Sequence, residues 1–520
     1  MEIELKLLIA PGAVSAFKRH PLLKKLAIAK PYQQQLISTY FDTPDCYLMQ
    51  HRAGLRVREV GGKLIQTLKA GGQVEGGLHQ RNEWETEVRG LKPDLVAIQA
   101  MLKPHSKWSK LLDRPDLNQQ LIPVFTTRFQ RHIWLLRLPE GDEVELALDQ
   151  GEIESGYGDK ASRLPISEIE LELKSGKAGN LFALALALQE TLALSTGNIS
   201  KAERGYRLYA PQAVSISNAS TLDLADKKTI AEGFQAIVGD CLRQIQDNES
   251  GVKYGTDAES VHQMRIGVRR LRSALAIFSD KSAALPLFLK AESQWLGKRL
   301  GTARDWEVFA GSTLAAAFDL RGPQTIAALQ KTAHDFAKKS RTDAINVLNS
   351  ARYTRLILTL GACISGATEA VDSASKEGAT PPAPALGQAR LRPFAAAQLA
   401  RYQKKLLKRG KGLHVIDPAE RHKLRIAAKK MRYAVAFFSS LYPPKKIKPY
   451  VSALSTLQDT LGDLNDARVA ETLLQHCAVG KPQLTEVSGY VRSIVSAQSK
   501  GNLKKLNKQW KKFKRTDSPF

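Results

Sequence analysis

The chain has 520 residues, which is too many for one ordinary hydrophobic core, so two or three domains are expected. Hydrophobic residues make up 43% of the sequence, which excludes a chain that is disordered throughout. The net charge of +26 is unevenly shared, because residues 1–210 carry +3 and residues 211–520 carry +23. The second region is therefore expected to bind an anion such as nucleic acid, anionic lipid or polyphosphate. The alternative is a soluble domain that is merely cationic.

The cysteines and the most apolar segment indicate the cellular compartment of the protein. The four cysteines are far apart and form no CxxC pair: Cys46, Cys241, Cys363 and Cys477. This spacing is typical of a reducing compartment and excludes a cysteine zinc framework. The opening Met1–Lys6 is acidic and strand-like, so no signal peptide is expected. The most apolar stretch, Leu181–Leu194, is interrupted by Gln189 and Glu190 and is too polar to span a bilayer. These features predict a cytoplasmic protein.

Alternation of apolar and polar residues predicts strands in the first 210 residues. The predicted strands are Glu2–Leu8, Leu36–Asp42, Gly54–Glu59, Leu64–Lys69, Gln80–Val88, Phe125–Leu138, Glu143–Asp149 and Ser167–Lys174. Helical patterns lie between them at Ala13–Leu26, Pro93–Met101 and Leu181–Leu194. Gly61-Gly62 predicts a hairpin turn, whereas Gly71-Gly72 and Gly76-Gly77 predict the two ends of a flexible loop. The expected fold class is α+β, with an N-terminal eight-stranded antiparallel β tunnel or barrel flanked by helices.

Helices are predicted throughout the second region, because from Pro211 onward apolar residues recur at spacings of three and four. The segment Gly366–Gly387 is rich in Ala, Ser, Gly and Pro and predicts a linker between two helical halves. The Lys-rich tail Lys500–Arg515 is expected to be either a helix or a disordered arm.

The second region also contains an internal repeat. Val261–Arg272 recurs as Arg421–Arg432 at an offset of 160 residues, with basic residues at matching places. Leu300–Asp305 recurs as Leu461–Asp466 at an offset of 161 residues. Two matched segments at nearly the same offset indicate a duplicated helical unit. We therefore expect an all-α helical domain built from two repeated helical-bundle halves.

Charged residues share one face on several of the predicted strands. Alternate side chains of a strand lie on one face, about 6.5–7 Å apart. Glu2, Glu4 and Lys6 therefore point one way, and so do the acidic residues at 168, 170 and 172. Taken alone, each strand is typical of a solvent-facing surface. If these faces point into an eight-stranded barrel, the lumen combines carboxylates with cations and can bind a metal polyanion.

Other strands supply the cations of such a lumen. They are Arg56, Arg58, Lys69, Arg81 and one of the pair Arg128 and Arg131. The last two have opposite parity, so a regular strand directs only one of them to a given face. The pattern alone does not choose between them.

These segments resemble a known family. Glu2-Ile3-Glu4-Leu5-Lys6 matches the ExExK signature of the CYTH, or triphosphate tunnel metalloenzyme, family. The similarity continues, in order, through Leu55–Arg58, Gln66–Lys69, Arg81–Glu83, Leu148–Gly151, Glu168–Glu172 and Ser200–Tyr206. It covers roughly residues 1–207. The motif HxxRxxx[RK]xxR, present twice in the second region, is similar to that of CHAD, the conserved histidine α-helical domain.

This combination resembles bacterial CYTH–CHAD proteins, which include inorganic triphosphatases. The resemblance implies a CYTH domain at 1–207 and a CHAD domain at 220–515. The CHAD halves are expected at about 220–365 and 388–515, with the linker at 366–387. The implied activity is metal-dependent hydrolysis of tripolyphosphate to diphosphate and phosphate, with Mg²⁺ or Mn²⁺ as the cofactor.

The resemblance also implies roles for the lumen residues. The metal ligands are expected among Glu2, Glu4, Asp149, Glu168, Glu170 and Glu172, with Glu83 able to assist. The substrate-binding residues are expected to be Arg56, Arg58, Arg81, Arg131 and Arg204. The candidate catalytic lysines are Lys6, Lys69 and Lys201, and the sequence does not select which one protonates the leaving group.

Two other functions fit the same pattern. One is a non-catalytic protein that binds polyphosphate or acts as a scaffold. The other is a hydrolase or cyclase of an organic triphosphate such as thiamine triphosphate or ATP. The sequence has no P-loop and no Ser/His/Asp arrangement, so hydrolysis without a covalent intermediate is favoured.

The repeated helices carry a basic face that predicts a polyanion-binding site. Its residues are His262, Arg265, Arg269 and Arg272 in the first repeat and His422, Arg425, Lys429 and Arg432 in the second. Polyphosphate is the preferred ligand, because base-stacking aromatics are not spaced along the face. Nucleic acid is the alternative, favoured by Trp510 and Phe513 in the Lys-rich tail. A structural alternative is that Asp305 and Asp466 pair with the arginines and that each histidine is a buried hydrogen-bonding residue.

Overall fold

The computed structural model describes residues 1–156, 161–212, 214–279, 287–315, 323–366, 389–413 and 417–520. The chain divides into two compact units. The first is Met1–Val214 with Asn349–Gly378, and the second is Ser215–Leu348 with Ala379–Phe520. Apart from Gly366, the predicted linker lies outside the described residues. Within the described ranges, no helix is both long enough and apolar enough to cross a membrane.

The first unit is built on a closed antiparallel barrel. Its strands are β1 (Glu2–Ile9), β2 (Tyr32–Asp42), β3 (Ala53–Val60), β4 (Lys63–Glu75), β5 (Leu78–Val88), β6 (Ile122–Arg137), β7 (Glu143–Ser155), β8 (Ser162–Ser175) and the short β9 (Leu194–Thr196). The order is β5-β4-β3-β2-β6-β7-β8-β1, and β1 also pairs with β5, which closes the barrel. β9 pairs with β1. The eight predicted strands and the α+β class are confirmed, whereas β9 was not predicted.

The predicted flexible loop between the two glycine pairs is wrong. β4 continues to Glu75, and its pairing with β5 shifts register between Ala70 and Gln73. Gly71 and Gly72 occupy this irregularity with φ of +67° and +96°. A Cβ on Gly71 would lie 2.7 Å from the ring of Trp108, so glycine is required there. A bulge, rather than a loop, therefore accommodates this pair. Gly61-Gly62 connects β3 and β4, as predicted.

The helices of the chain follow in sequence order. Those of the first unit before residue 214 are α1 (Val14–Lys18), α2 (Pro21–Leu26), α3 (Tyr47–Gln50), α4 (Leu95–Met101), α5 (Lys107–Leu112), α6 (Leu117–Gln120), α7 (Ala178–Gln189) and α8 (Lys201–Tyr209). Later helices are α9 (Ile230–Asp247), α10 (Glu249–Tyr254), α11 (Ala258–Phe278), α12 (Leu287–Val308), α13 (Pro323–Leu348), α14 (Ala351–Ile364), α15 (Leu391–Arg409), α16 (Pro418–Phe438), α17 (Pro444–Ala478) and α18 (Thr485–Arg515).

The outer core of the first unit includes a helix from much later in the chain. α14 packs against α7 and β9 and belongs to the first unit. Its Leu358 and Ala362 are fully buried in the same hydrophobic cluster as Leu5, Leu181 and Phe182. The chain therefore leaves the second unit after α13, completes the core behind the barrel, and returns before α15.

The lumen of the barrel has an apolar part. Residues opposite one another across a ladder share a face, so the face that carries Arg131 on β6 also carries Phe125 and Phe129. These rings form a buried cluster with Tyr40 of β2 and Tyr206 of α8. A Cβ on Gly205 would lie 2.2 Å from the Phe125 ring, so α8 packs directly on this cluster. Part of the lumen is thus filled by side chains.

In the second unit, the two copies of the sequence repeat occupy corresponding helices. The first copy lies on α11, which packs against α9 and α12, and the second lies on α16, which packs against α15 and α17. α11 and α16 also contact each other. A further core joins α12, α13, α17 and α18 through Trp306, Leu329, Leu474 and Val491. The Lys-rich tail is the end of α18, so the helical alternative is confirmed.

Candidate active site and basic helical face

Three buried carboxylates meet in the lumen. Asp149 of β7 lies opposite Glu168 of β8, and Glu170 is the next residue on the same face. Asp149 is fully buried, and Glu168 and Glu170 are 1% and 7% exposed. One oxygen from each lies within 4.8 Å of the others, close enough to ligate a single cation. Among the described residues, this is the group of carboxylate, His or Cys side chains with metal-ligating geometry.

Lys201 bridges these carboxylates. Its Nζ lies 2.6 Å from Asp149, 2.6 Å from Glu168 and 2.9 Å from Glu170. Ser200 caps the first turn of α8 through the amide of residue 203, which fixes Lys201 at the helix start. Burial lowers the pKa of Lys201, but the three carboxylates outweigh it and raise the pKa above its ordinary value. Lys201 is therefore a fixed positive charge.

Two further cations contact Glu170 from other strands. Lys6 Nζ lies 2.5 Å from Glu170 and 3.1 Å from Glu4. Arg131 forms a bidentate pair with Asp149, at 2.7 and 2.6 Å, and also contacts Glu170. Burial alone would raise the pKa of Glu170. The charges of Lys201, Lys6 and Arg131 outweigh burial and hold this pKa well below its usual range. The buried positive and negative charges are thus nearly equal in number.

The other predicted metal ligands pair with different lysines. Both oxygens of Glu2 accept from Lys69 Nζ, at 2.7 and 2.6 Å, and Glu83 lies 3.2 Å from the same atom. Glu172 lies 2.8 Å from Lys174. Burial raises the pKa of both Glu2 and Glu172. The structure therefore brings Asp149, Glu168 and Glu170 together, with Glu4 adjacent through Lys6, and engages Glu2 and Glu172 elsewhere.

The parity of β6 selects Arg131 for the lumen. Arg128 is 49% exposed and lies 3.9 Å from Glu154. Of the other predicted arginines, Arg204 Nη1 lies 3.3 Å from Glu168. Arg81 Nη2 lies 3.4 Å from Nδ1 of His79.

Arg58, which lies beside Arg56, carries positive charge that no described ion pair balances. Arg58 donates through Nε to Ser38 Oγ at 2.9 Å, and no described carboxylate lies within ion-pair distance of it. The nearest carboxylates to Arg56 are Glu85 at 3.7 Å and Glu83 at 3.9 Å, and its buried Nε has no partner in the described structure. Burial, followed by the charge of Arg56, lowers the pKa of Arg58 to about 9. An anion bound here would relieve that repulsion.

A histidine that the sequence analysis did not select holds the backbone of Lys6. His79 Nε2 lies 2.8 Å from the carbonyl oxygen of Gly197, which can only accept, so Nε2 carries the proton. The amide of Gly197 donates to the carbonyl of Lys6 at 2.8 Å, and the amide of Lys6 donates to Gly77 at 2.9 Å. Burial, and then the charge of Lys6, lowers the pKa of His79 to about 3. This residue escaped detection because its role depends on three non-adjacent segments.

In the second unit, the predicted basic faces of α11 and α16 lie next to each other. The guanidinium groups of Arg269 and Arg432 lie 5.7 and 5.5 Å from the centre of the Tyr433 ring. Burial, and then the charges of Arg269 and Arg425, lowers the pKa of Lys429 to about 7. The two copies of the motif therefore form one surface, which we call the basic helical face.

The other members of this face differ in their surroundings. Arg265 lies 3.1 Å from Asp305, so the alternative that this aspartate pairs with an arginine is observed. His262 is half-buried, its Nδ1 has no partner among the described atoms, and burial lowers its pKa. His422 and Arg272 are exposed, whereas Arg425 is half-buried. Arg270, which adjoins the face in sequence, is buried against Asp240 at 2.5 Å and Gln244 at 2.7 Å.

Comparison with known families agrees with these two units. Residues 1–206 match the family model of the CYTH domain, and residues 236–475 match that of the CHAD domain. The chain therefore carries a CYTH domain followed by a CHAD domain, as the sequence resemblance indicated.

Individual relatives are similar to parts of the chain. An inorganic triphosphatase of Haemophilus influenzae is 35% identical over 212 residues, which cover 41% of this chain and 56% of that protein. The match thus spans little more than half of the relative's length. The crystal structure of the CHAD domain from the plant Ricinus communis is 35% identical, with a TM-score of 0.52, and the match covers 59% of this chain and 99% of that one.

Proposed function

We propose that the barrel hydrolyses short inorganic phosphate chains, converting tripolyphosphate to diphosphate and phosphate with the help of a divalent cation. The observation that carries this proposal is the buried group Asp149, Glu168 and Glu170, together with Arg56 and with Arg58, which has no ion pair among the described residues. Carboxylates hold the cation of a metal polyanion and arginines hold its phosphate oxygens. The similarity to the inorganic triphosphatase of Haemophilus influenzae supports the same activity.

The carboxylate group fits Mg²⁺ or Mn²⁺. Both ions prefer oxygen ligands, and the three side chains offer such atoms within 4.8 Å of one another. When bound, such an ion supplies Lewis-acid polarisation of a phosphoryl oxygen. Glu4 stands next to this group, and we propose Glu2 and Glu172 as further ligands once their lysines are released.

The chain's own residues then position the substrate and neutralise its charge, which is most of what phosphoryl transfer requires. Arg56 and Arg58 bind phosphate oxygens. Arg81, Arg131 and Arg204 bind further oxygens along the phosphate chain. Lys6 and Lys201 are firmly protonated, because their pKa values lie above the ordinary lysine range. We therefore assign these two lysines, with Lys69, to charge neutralisation and to proton donation to the leaving phosphate, rather than to the role of a base.

For the second unit we propose binding of a polyanion, with polyphosphate as the preferred ligand. The basic helical face supplies closely spaced cations, and burial, followed by the charges of Arg269 and Arg425, lowers the pKa of Lys429. Among its members, Tyr433 is the aromatic ring that the arginines cover, so few rings are available for stacking on bases. We retain 1–207 and 220–515 as the proposed sequence limits of the two domains, with α14 of the second range packed in the first unit. The cytoplasm remains the proposed location.

The decisive experiment is a substrate panel on the purified full chain. Phosphate release is measured from tripolyphosphate, diphosphate, long-chain polyphosphate, ATP and thiamine triphosphate, each with Mg²⁺, with Mn²⁺ and with EDTA. We expect tripolyphosphate to be the best substrate and EDTA to abolish its hydrolysis. Faster turnover of ATP or thiamine triphosphate would instead support an organic triphosphatase. No metal-dependent release from any substrate would leave a binding protein.

The carboxylate assignment is tested with Glu170→Gln. We expect a loss of about 100-fold or more in kcat, because a ligand and the partner of three cations is removed. The matched control is Glu59→Gln, an exposed glutamate on β3, which should retain normal rates. A near-normal rate in Glu170→Gln would reject the assignment.

The ligand of the second unit is tested by competing polyphosphate against RNA at fixed salt, since both will bind in a salt-dependent way. Preferential displacement of RNA by polyphosphate is expected. The opposite order would assign the basic helical face to nucleic acid.

A further inference from the structure

One side chain in the lumen has no role in the proposed hydrolysis, although it lies beside Arg56 and Arg58. Tyr40 of β2 is directly opposite Arg56 of β3, and Ser38 is opposite Arg58. Residues opposite one another share a face of the sheet, so Tyr40 and Arg56 both point into the barrel. The Tyr40 hydroxyl therefore lies near the Arg56 guanidinium.

The ring of Tyr40 is held rigidly. It stacks on Phe125 with a centroid distance of 4.5 Å and an interplanar angle of 19°. Phe125 in turn meets Tyr206 edge-on at 5.1 Å and is covered by Gly205 of α8. Tyr40 as a whole is 7% exposed. Its hydroxyl is therefore fixed at the border between the apolar cluster and the cationic part of the lumen.

The hydrogen-bonding chemistry at this border is incomplete. A guanidinium can only donate, so towards Arg56 the Tyr40 oxygen can act only as an acceptor, and its own proton is available to a ligand. Within the described part of the chain, no carboxylate or carbonyl oxygen takes that proton. Arg56, which is 9% exposed, likewise has an Nε without a partner among the described atoms. Buried donors are normally satisfied, so these atoms indicate a place for an acceptor.

The charge environment agrees with an anionic acceptor. Burial raises the pKa of Tyr40, but the charges of Arg56 and Arg58 outweigh it and lower the pKa below the usual tyrosine range. A phosphate oxygen can only accept hydrogen bonds and carries negative charge, so it suits both the donors and the local potential.

The position of Tyr40 also indicates which phosphate is bound. Phe125 stacks on the Tyr40 ring and is covered by Tyr206 and Gly205 of α8, so side chains fill the lumen on that side of Tyr40 and a linear chain ends there. The end phosphoryl group has three free oxygens, whereas an inner one has two. The hydroxyl of Tyr40 and the guanidinium groups of Arg56 and Arg58 are three converging donor groups, which match an end group.

We propose that Tyr40 is a specificity-determining residue, whose hydroxyl binds the terminal phosphoryl group of the substrate beside Arg56 and Arg58. The barrel thereby selects linear phosphates with at least one unesterified end. This inference rests on the proposed function, because it assumes a phosphate chain in the lumen.

The test compares Tyr40→Phe with the wild-type full chain. We expect the KM for tripolyphosphate to rise about tenfold or more, since a hydrogen bond to a charged group is lost, with a smaller change in kcat. The matched control is Tyr32→Phe, which removes a hydroxyl from the same strand at a position that is 50% exposed. It should leave both constants unchanged.

A second readout separates recognition from packing. The affinities for tripolyphosphate and for a triphosphate esterified at both ends, such as diadenosine triphosphate, are measured by calorimetry. The wild type should bind the free-ended chain more tightly, and Tyr40→Phe should reduce that preference at least fivefold while its melting temperature stays within a few degrees. An unchanged KM, an unchanged preference, or a loss of affinity explained by a lower melting temperature would overturn the proposal.

This design also distinguishes the inference from the proposed function. If the wild type binds tripolyphosphate without hydrolysing it, the catalytic proposal fails while the calorimetric comparison still decides the role of Tyr40. If the wild type hydrolyses tripolyphosphate and Tyr40→Phe is indistinguishable from it, only the inference fails.

Discussion

The barrel lumen and the basic helical face are both rich in cations, but they differ in how those cations are neutralised. In the lumen, the single carboxylate of Glu170 contacts three cations, Lys6, Arg131 and Lys201. On the helical face, Lys429 lies in the field of Arg269 and of further arginines, with Asp466 as the opposing charge. The charges around Glu170 in the lumen are nearly balanced, whereas those of the helical face are not.

This difference shows in the direction of the pKa shifts. The pKa values of Lys6 and Lys201 are raised, so their charges are fixed over any ordinary pH range. The pKa of Lys429 is lowered to about 7, so its charge varies near neutrality. The lumen is therefore expected to respond mainly to metal, and the helical face to pH and salt.

The sharpest test of the unbalanced face uses two neighbouring arginines. Arg270→Met should destabilise the second unit by about 3–5 kcal/mol, because buried Asp240 would keep only Ser220 and the longer contact to Arg243 at 3.6 Å. Its effect on polyphosphate binding per folded molecule should be small. Arg269→Met, one residue earlier, should do the reverse: it should preserve stability and reduce the slope of log affinity against log salt by about 0.7–0.9.

Denaturant unfolding and salt-dependent binding of the two variants provide the measurements. If Arg270→Met weakened binding as much as Arg269→Met, the division between a structural arginine and a ligand-binding one would be wrong.

The second prediction concerns pH. A bound polyanion raises the pKa of Lys429, so binding takes up a proton and the affinity should fall about tenfold between pH 6 and pH 8. His262 and His422 also have lowered pKa values and would contribute at the acid end. Lys429→Arg should remain tight and nearly independent of pH over this window. A wild-type affinity that is flat from pH 6 to 8 would contradict the shift.

The same lysine gives a smaller effect on stability. Its pKa falls from 10.5 to about 7 on folding, so the unfolded chain binds more protons between these values. Stability should therefore rise with pH across that window, and Lys429→Met should flatten the rise. Thermal melts at pH 6, 8 and 10 in low salt are the measurement, and equal slopes in the two proteins would exclude the effect.

The smallest effect is expected in the charge-balanced lumen at His79. His79→Gln retains a donor for the Gly197 carbonyl, so kcat should change by no more than about threefold. His79→Leu removes the donor and should lower kcat by about tenfold, through misplacement of Lys6. Because the pKa of His79 is about 3, the pH–rate profile above pH 5 should keep its shape in His79→Gln. If the pH–rate profile of His79→Gln lost one of its pH-dependent slopes, the imidazole would titrate in catalysis.

The sequence predicted the strands and the duplicated helices because both rest on periodicity, which is local. The predicted strands Glu2–Leu8 and Ser167–Lys174 lie within β1 and β8, although both faces are buried in the middle of each strand. The choice between Arg128 and Arg131 could not be made in advance, because parity alone does not say which face is inside. The register with Asp149 decides it.

The features that escaped prediction depend on contacts between distant segments. β9 is three residues long, too short for a periodic pattern. Gly71-Gly72 resembles a loop signal, but the packing of Trp108 makes it a bulge. Tyr40 is an ordinary apolar strand residue until its register with Arg56 is known.

The excursion of α14 has a practical consequence for anyone who wishes to study one half of this protein alone. A fragment ending at residue 214 lacks Leu358 and Ala362, so the hydrophobic face of α7 would be exposed to water. The shortest sequence that completes the core of the first unit is therefore not contiguous. Fragments that end between the CYTH and CHAD domains should aggregate unless α14 is added.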